Sequence, residues 1–179
     1  MPISGRFATI GRFVSDSTAV YVDANILIYA VEGVSGDISV TERCRRLLDA
    51  FRRRMIVGVT SELTLAEVLV EPTRRKMVDA KRGYMALLNA RRPVLDLRPV
   101  TRGILLESVS YRAAIYPARV GPTEDKRNFL PDAIHVATAI AAGASHYAGS
   151  DKRLRLPAGL SRLDPREPAF DPMLFKLLA

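Results

Sequence analysis

The stretch VYVDANILIYA, residues 20–30, decides the fold class of this chain. Residues 20–22 are β-branched and aromatic, a pattern that is typical of a short buried strand. Asp23 and Asn25 interrupt this apolar run, and a second apolar run follows them directly. This order predicts a buried strand that turns into a helix at Asp23.

Strand and helix patterns continue to alternate along the rest of the chain. Residues 41–54 place apolar side chains at helical spacing and fill the other positions mostly with arginine, which predicts an amphipathic helix. A buried strand is predicted at 55–60, and Ser61 is expected to cap a helix at 62–70 that Pro72 ends. Further helices are predicted at 73–91, 103–115 and 131–142, with strands at 94–97, 145–149 and 160–163.

Several of these predicted strands lack polar alternation, which is typical of parallel strands that are buried on both faces. Together with the alternation of strands and helices, this predicts one α/β domain whose sheet is covered by helices on both sides. We expect an N-terminal extension at residues 1–19, the domain at 20–164, and a tail at 165–179 that packs on the domain or at an interface.

Composition excludes several classes of protein. Hydrophobic residues make up 48% of the chain and charged residues 26%, which excludes wholesale disorder and fibrous folds. The single cysteine, Cys44, excludes an internal disulfide framework and a cysteine zinc site, and it predicts a reducing, cytoplasmic setting. Cys44 itself lies on the apolar stripe of its helix and is predicted to be a core residue.

The net charge of +8 favours a polyanionic partner, of which nucleic acid is the commonest. Basic residues cluster at 43–54, 74–76 and 91–92. These clusters can be solvated helix faces or phosphate contacts, and we favour phosphate contact for some of them. The sequence contains no GxxxxGK(S/T), GxGxxG or GxSxG motif, so phosphate-loop, dinucleotide and serine-hydrolase sites are not predicted.

Four carboxylates lie in unusually apolar surroundings: Asp23, Glu67, Asp132 and Asp151. Asp23 and Asp151 follow predicted strands, and ligands of open parallel sheets bind outside the carboxyl ends of the strands. Glu67 lies in the helix after the second strand, and Asp132 lies in the first turn of its helix. Because four converging carboxylates repel one another, they need a cation. Oxygen ligands favour Mg²⁺, with Mn²⁺ as a possible substitute.

Each acid also has a purely structural interpretation. Asp132 can favour its helix N-terminus through the helix dipole, and Asp23 can form a turn together with Asn25. Glu67 can be an exposed helical position, and Asp151 can be a turn residue. Their joint placement favours one shared site over four separate structural roles.

Three segments in this order resemble PIN-domain ribonucleases of the kind found in bacterial VapC toxins. The segments are VYVDANILIYAVE at 20–32, TSELTLAEVLVEP at 60–72 and LPDAIHVATAIAAGASHYAGSDKRL at 130–154. The resemblance extends over residues 20–164, whereas residues 1–19 and the loop at 117–128 depart from the family pattern. The positions that match the motifs of the family are Asp23 with Asn25, Glu67 after Ser61, Asp132 at a Pro-Asp-Ala helix start, and Ser150 with Asp151.

The resemblance implies a PIN-like three-layer α/β/α sandwich with a central, mostly parallel, twisted sheet. It implies a Mg²⁺-dependent endoribonuclease whose metal, one or two ions, is held by Asp23, Glu67, Asp132 and Asp151. Asn25 and Ser150 would orient ligands or water. Since the family assigns metal binding to acids, packing or contact with a ligand is favoured for His135 over direct ligation.

The resemblance also implies the toxin of a toxin–antitoxin pair that acts on RNA, is blocked by a small antitoxin and forms a homodimer. Two alternatives stay open on the same fold. One is a stand-alone RNA-processing nuclease, and the other is a catalytically silent nucleic-acid-binding module.

Overall fold

A computed structural model describes residues 19–34, 36–88, 94–115 and 130–179. Residues 1–18 of the predicted extension, and the loop at 117–128, lie outside these described residues. In the described part, five strands alternate with seven helices. The strands are β1 (Ala19–Val22), β2 (Val57–Ser61), β3 (Asp96–Arg98), β4 (His146–Ala148) and β5 (Ser161–Leu163). The helices are α1 (Ala24–Val31), α2 (Ile38–Arg52), α3 (Leu63–Arg74), α4 (Val78–Leu87), α5 (Arg102–Ile115), α6 (Leu130–Ala141) and α7 (Phe170–Leu178).

The strands form one sheet in the order β3-β2-β1-β4-β5, and every neighbouring pair is parallel. β1 lies in the centre, between β2 and β4. From β1 the chain builds the sheet outward first through β2 and β3, and later through β4 and β5 on the other side. A crevice is expected at the carboxyl end of a strand where the order reverses in this way. Asp23 follows β1 at that point.

Alternate residues of β1 face the two sides of the sheet. Val20 and Val22 belong to a core shared with α1, α2, α3, α4 and α7. Tyr21 belongs to a second core with residues of α5 and α6, including Tyr111 and Val136. The predicted three-layer α/β/α sandwich with a parallel central sheet is therefore confirmed.

The C-terminal helix α7 packs against α2. Phe170 and Leu174 are buried in the first core, and full burial of such a side chain stabilises a fold by about 1.5–3 kcal/mol. Arg43 and Arg46 of α2 both bind the Asp171 carboxylate, at 2.9 Å and 2.5 Å.

The prediction that Pro72 ends its helix is wrong. Pro72 lies buried inside α3, which continues to Arg74. A proline in the last turn removes one backbone hydrogen bond without disturbing the turns before it. The helix ends instead near Lys76, whose φ of 55° lies in the left-handed region typical of helix ends. The single helix predicted at 73–91 is thus divided between α3 and α4.

The third strand lies slightly later than predicted, at Asp96–Arg98. Gly143 closes α6 with a φ of 67°, as its position predicts. In the described part of the chain, no helix has the length and apolar character needed to cross a membrane.

Candidate active site

Asp23 continues the hydrogen bonding of β1 and then caps α1. Its backbone N–H donates to the Ala148 carbonyl at 3.0 Å. Its Oδ1 accepts from the Ala24 backbone N–H at 2.8 Å, and its Oδ2 accepts from Asn25 Nδ2 at 2.5 Å. The turn chemistry offered as the structural alternative is therefore present, and it holds the carboxylate in one orientation.

Gly149 leaves the space that Asp23 occupies. A Cβ at position 149 would lie 3.2 Å from both Cβ and Oδ2 of Asp23, and 2.8 Å from a ring carbon of Tyr147. Both distances are too short for a comfortable contact, so any larger residue would push on the carboxylate. The chain therefore has a glycine where the end of β4 approaches the end of β1.

The environment of Asp23 disfavours its charge. The pKa of Asp23 is raised to about 6 because burial and the charges of Glu67 and Asp132 outweigh the opposing effects of His135 and of the bond from the Ala24 N–H. A cation close to Asp23 would therefore stabilise its ionised form.

Glu67 reaches from α3 toward α6, across the carboxyl edge of the sheet. Its Oε2 accepts a hydrogen bond from Nε2 of His135 at 2.8 Å, and its side chain is 31% exposed. His135 is 1% exposed, and its Nδ1 lies 2.6 Å from the hydroxyl of Tyr21. Burial alone would lower the pKa of His135. The bond to Glu67 and the charges of Asp23 and Asp132 outweigh burial and raise that pKa instead. His135 thus contacts an acid of the site, as the sequence favours.

Asp132 lies half-buried in the first turn of α6. Burial raises its pKa, and so do the negative charges of Asp151 and Glu67. The helix dipole favours an acid here, but that structural role does not explain the two other acids beside it.

Asp151 differs from the other three acids because its partner is an arginine. Arg153 donates to it from Nε at 2.8 Å, from Nη2 at 2.7 Å and from its backbone N–H at 2.9 Å. These bonds lower the pKa of Asp151. The turn structure offered as the alternative is present here too, and it leaves the carboxylate ionised.

The pattern of the PIN domain family matches residues 20–160 of this sequence. The chain belongs to the PIN domain family. The resemblance seen in the three sequence segments is confirmed, and the acids described above lie at the carboxyl edge of a PIN fold. The chain has no significant match among curated proteins.

Solved structures share this PIN fold at low sequence identity. A toxin–antitoxin complex from Klebsiella pneumoniae matches with a TM-score of 0.56 and 22% identity, over 83% of this chain and 98% of the other. VapBC2 from Rickettsia felis, bound to a DNA fragment from its promoter, matches with a TM-score of 0.57 and 15% identity, over 82% and 98%. DNA-bound VapBC from Salmonella typhimurium matches with a TM-score of 0.53 and 18% identity, over 83% of this chain and 98% of the other.

The four acids predicted from the sequence interact, but they do not form a finished ligand set. Glu67 and Asp132 raise the pKa of Asp23, and Asp151 and Glu67 raise the pKa of Asp132. Among the described residues, no three His, Cys, Asp or Glu side chains are grouped closely enough to hold a metal ion. Two of these acids have other partners, since Glu67 accepts from His135 and Asp151 binds Arg153.

The donor chemistry of this edge nevertheless suits a hard divalent cation. All four acids offer oxygen. Asn25 adds a buried Oδ1 that has no hydrogen-bond partner among the described residues, and buried polar atoms of this kind are uncommon. Ser150, expected beside Asn25 in a supporting role, instead shares a hydrogen bond of 3.1 Å with the Tyr29 hydroxyl.

Two contacts of this PIN domain could not be found from sequence patterns. Tyr21 belongs to an apolar strand run, so nothing in the sequence distinguishes its hydroxyl from an ordinary core aromatic. Arg166 donates from Nη2 to the Tyr29 hydroxyl at 2.5 Å, although the two residues are separated by 137 positions. No local pattern could connect them.

Proposed function

We propose that this PIN domain is a Mg²⁺-dependent endoribonuclease and the toxin of a toxin–antitoxin pair. It would hydrolyse RNA phosphodiester bonds at the carboxyl edge of the sheet. Asp23, Glu67, Asp132 and Asp151 would hold the metal, and Mn²⁺ could replace Mg²⁺.

One observation supports this proposal: acids from separate parts of the chain act on one another electrostatically, because Glu67 and Asp132 raise the pKa of Asp23 and Asp151 raises the pKa of Asp132. A stable fold rarely keeps partly buried like charges together without a compensating ligand. Perturbed carboxylates in a crevice are characteristic of functional sites.

Each side chain of the site would have a separate role. Asn25 and the Ala24 N–H hold the Asp23 carboxylate in place. His135 orients Glu67 through Oε2 and leaves its Oε1 available. When bound, Mg²⁺ would acidify a water molecule and stabilise negative charge on the scissile phosphate. Burial and the charges of Glu67 and Asp132 disfavour the ionised form of Asp23 in the free protein, so a bound cation would stabilise that form.

The test is cleavage of a labelled single-stranded RNA with Mg²⁺ or with EDTA, followed by mapping of the new ends. We expect cleavage only with Mg²⁺, with 5′-phosphate and 3′-hydroxyl products. Asp23→Asn should abolish it. Asp79→Asn is the matched control, because the Asp79 side chain is 96% exposed on α4. Cleavage that persists in EDTA, or in Asp23→Asn, would contradict the proposal.

The structural similarity to toxin–antitoxin complexes supports a small antitoxin as partner. A homodimer is the assembly we propose, and α5 offers an apolar surface for it. Leu105, Leu106 and Val109 of α5 are 43%, 60% and 59% exposed. Light scattering of the purified protein, with and without the product of a neighbouring small open reading frame, tests both partners. Lack of such a reading frame would favour the stand-alone processing nuclease.

A catalytically silent nucleic-acid-binding module is the second candidate. Two of the four acids already have partners, Glu67 with His135 and Asp151 with Arg153, which is the observation that favours it. This candidate predicts RNA binding that survives chelation and no cleavage with any divalent cation.

A further inference from the structure

Arg166 is held in a fixed position by the side chain of Tyr29. It follows β5, at the same edge of the sheet as Asp23 and Asp151. Its guanidinium carbon lies 5.1 Å from the centre of the Tyr29 ring, and its Nη2 donates to the Tyr29 hydroxyl at 2.5 Å. Its backbone N–H donates to Asp164 Oδ1 at 2.9 Å. An exposed arginine is thus ordered by three contacts.

Tyr29 links this arginine to the site. It lies one helical turn after Asn25, on the same face of α1, and Asn25 binds Asp23. The Tyr29 hydroxyl also shares a hydrogen bond with Ser150, the residue between Gly149 and Asp151. The Tyr29 side chain therefore connects the Arg166 guanidinium to the loop that carries Asp151. It also connects the guanidinium to α1, the helix that Asp23 caps.

Arg166 differs from three other ordered arginines, Arg43, Arg46 and Arg153, which each bind a carboxylate. Arg43 and Arg46 bind Asp171, and Arg153 binds Asp151. Among the described residues, no acid forms an ion pair with Arg166. Within the described part of the chain, its Nε and Nη1 have no hydrogen-bond acceptor, and an arginine fork matches the geometry of a phosphate.

The position of Arg166 also distinguishes it from the arginines at the end of α2. Arg52 to Arg54 lead into the first residue of β2, so they lie at the amino edge of the parallel sheet. The four residues of β1 separate the two edges, and at about 3.3 Å per residue this is roughly 13 Å. Arg166 therefore shares an edge of the sheet with Asp23 and Asp151, whereas Arg52 to Arg54 lie at the opposite edge.

We propose that Arg166, fixed on Tyr29, binds a backbone phosphate of the RNA next to the bond that is cut. This inference rests on the proposed function for the identity of the polyanion. Arg166 acts in substrate binding and takes no part in proton transfer, so its loss raises KM and leaves kcat at saturating RNA nearly unchanged.

The test is RNA binding measured in EDTA by fluorescence anisotropy with a labelled single-stranded oligoribonucleotide. Arg166→Gln should raise Kd about tenfold, as expected for one charge-assisted hydrogen bond. It should also reduce the slope of log K against log salt by about 0.7, the value for one phosphate contact on a single strand. Arg52→Gln removes the same charge at the other edge and should change neither quantity. Equal effects of the two substitutions would overturn the proposal.

Two milder variants test the proposal in case Arg166→Gln is too unstable to measure. Arg166→Lys keeps the charge and loses the fork, so Kd should rise while the salt slope stays constant. Tyr29→Phe keeps the ring and loses the hydroxyl that orients the guanidinium, and it should also raise Kd. If Arg166→Gln melts early, unchanged binding in both milder variants overturns the proposal.

Cleavage with Mg²⁺ separates this inference from the proposed function. A protein that binds RNA through Arg166 in EDTA but never cleaves it would refute the nuclease and support the phosphate contact. A protein that cleaves RNA with the same KM in wild type and Arg166→Gln would refute the phosphate contact alone.

Discussion

His135 and Glu67 join the two helical layers across the carboxyl edge of the sheet, with 2.8 Å between Nε2 of the imidazole and Oε2 of the carboxylate. His135 belongs to α6 and Glu67 to α3. The bond to Glu67 and the nearby acids raise the pKa of His135 despite its burial. The raised pKa favours the protonated imidazole. The pair therefore positions one acid and partly offsets the negative charge of the others.

Removal of the imidazole should harm both stability and activity. His135→Ala leaves a cavity and removes one hydrogen-bond partner of the Tyr21 hydroxyl, which should cost about 3 kcal/mol in the free energy of unfolding. Cleavage should fall by about 10- to 100-fold, as for other residues that orient metal ligands. Denaturant titration and initial rates measure the two effects. Glu67→Gln keeps an acceptor for Nε2, so it should retain stability and lose cleavage. Full activity in His135→Ala would show that Glu67 needs no such support.

The stability of the metal-free protein should depend on pH through Asp23. Folding raises the pKa of this carboxyl from 3.8 to about 6, so the native state binds its proton more tightly than the unfolded state. The free energy of unfolding contributed by Asp23 therefore falls as pH rises through this window. Asp23→Asn lacks the effect. In EDTA, its stability advantage over wild type should grow across the window and level off above it. An advantage that is constant across these pH values would contradict the assigned pKa.

Magnesium should stabilise the folded protein. A ligand that binds only the native state adds RT ln(1 + [L]/Kd), about 2.7 kcal/mol at 100 times Kd. For a chain of this size that raises Tm by roughly 5–10 °C. Asp132→Ala should lose most of this shift, whereas Asp79→Ala, on exposed α4, should keep it. Identical shifts in wild type and Asp132→Ala would refute a metal site built on the four acids.

A single methyl group at position 149 should disturb the site. In Gly149→Ala, the new Cβ would lie 2.8 Å from Tyr147 and 3.2 Å from Asp23. Overpacking of this kind costs about 1–3 kcal/mol, and cleavage should fall further than the stability loss explains, because Asp23 is displaced. Gly103→Ala is the control. Its Cβ would meet only Thr101, at 3.7 Å, and alanine favours the helix. Unchanged cleavage in Gly149→Ala would show that the approach of the two strand ends is not tight.

Local patterns in the sequence were sufficient for the framework of the fold. The spacing of apolar residues predicts the buried faces of three elements. These are the strand before Asp23, the amphipathic α2 and the capped α6. The four acids can be recognised because burial of an unpaired carboxylate in an apolar segment costs free energy. Pro72 shows the limit of local rules, because burial of its ring in α3 outweighs the loss of one backbone hydrogen bond.

Tertiary structure alone decided which polar groups meet. His135 binds Glu67 across 68 positions, and Arg166 binds Tyr29 across 137. Such contacts depend on how helices from different parts of the chain pack on the sheet, and no short-range periodicity records that geometry. The arginines make the same point. The sequence favours phosphate contact somewhere among them, whereas the parallel strand order places Arg52 to Arg54 at one edge of the sheet and Arg166 with the acids at the other.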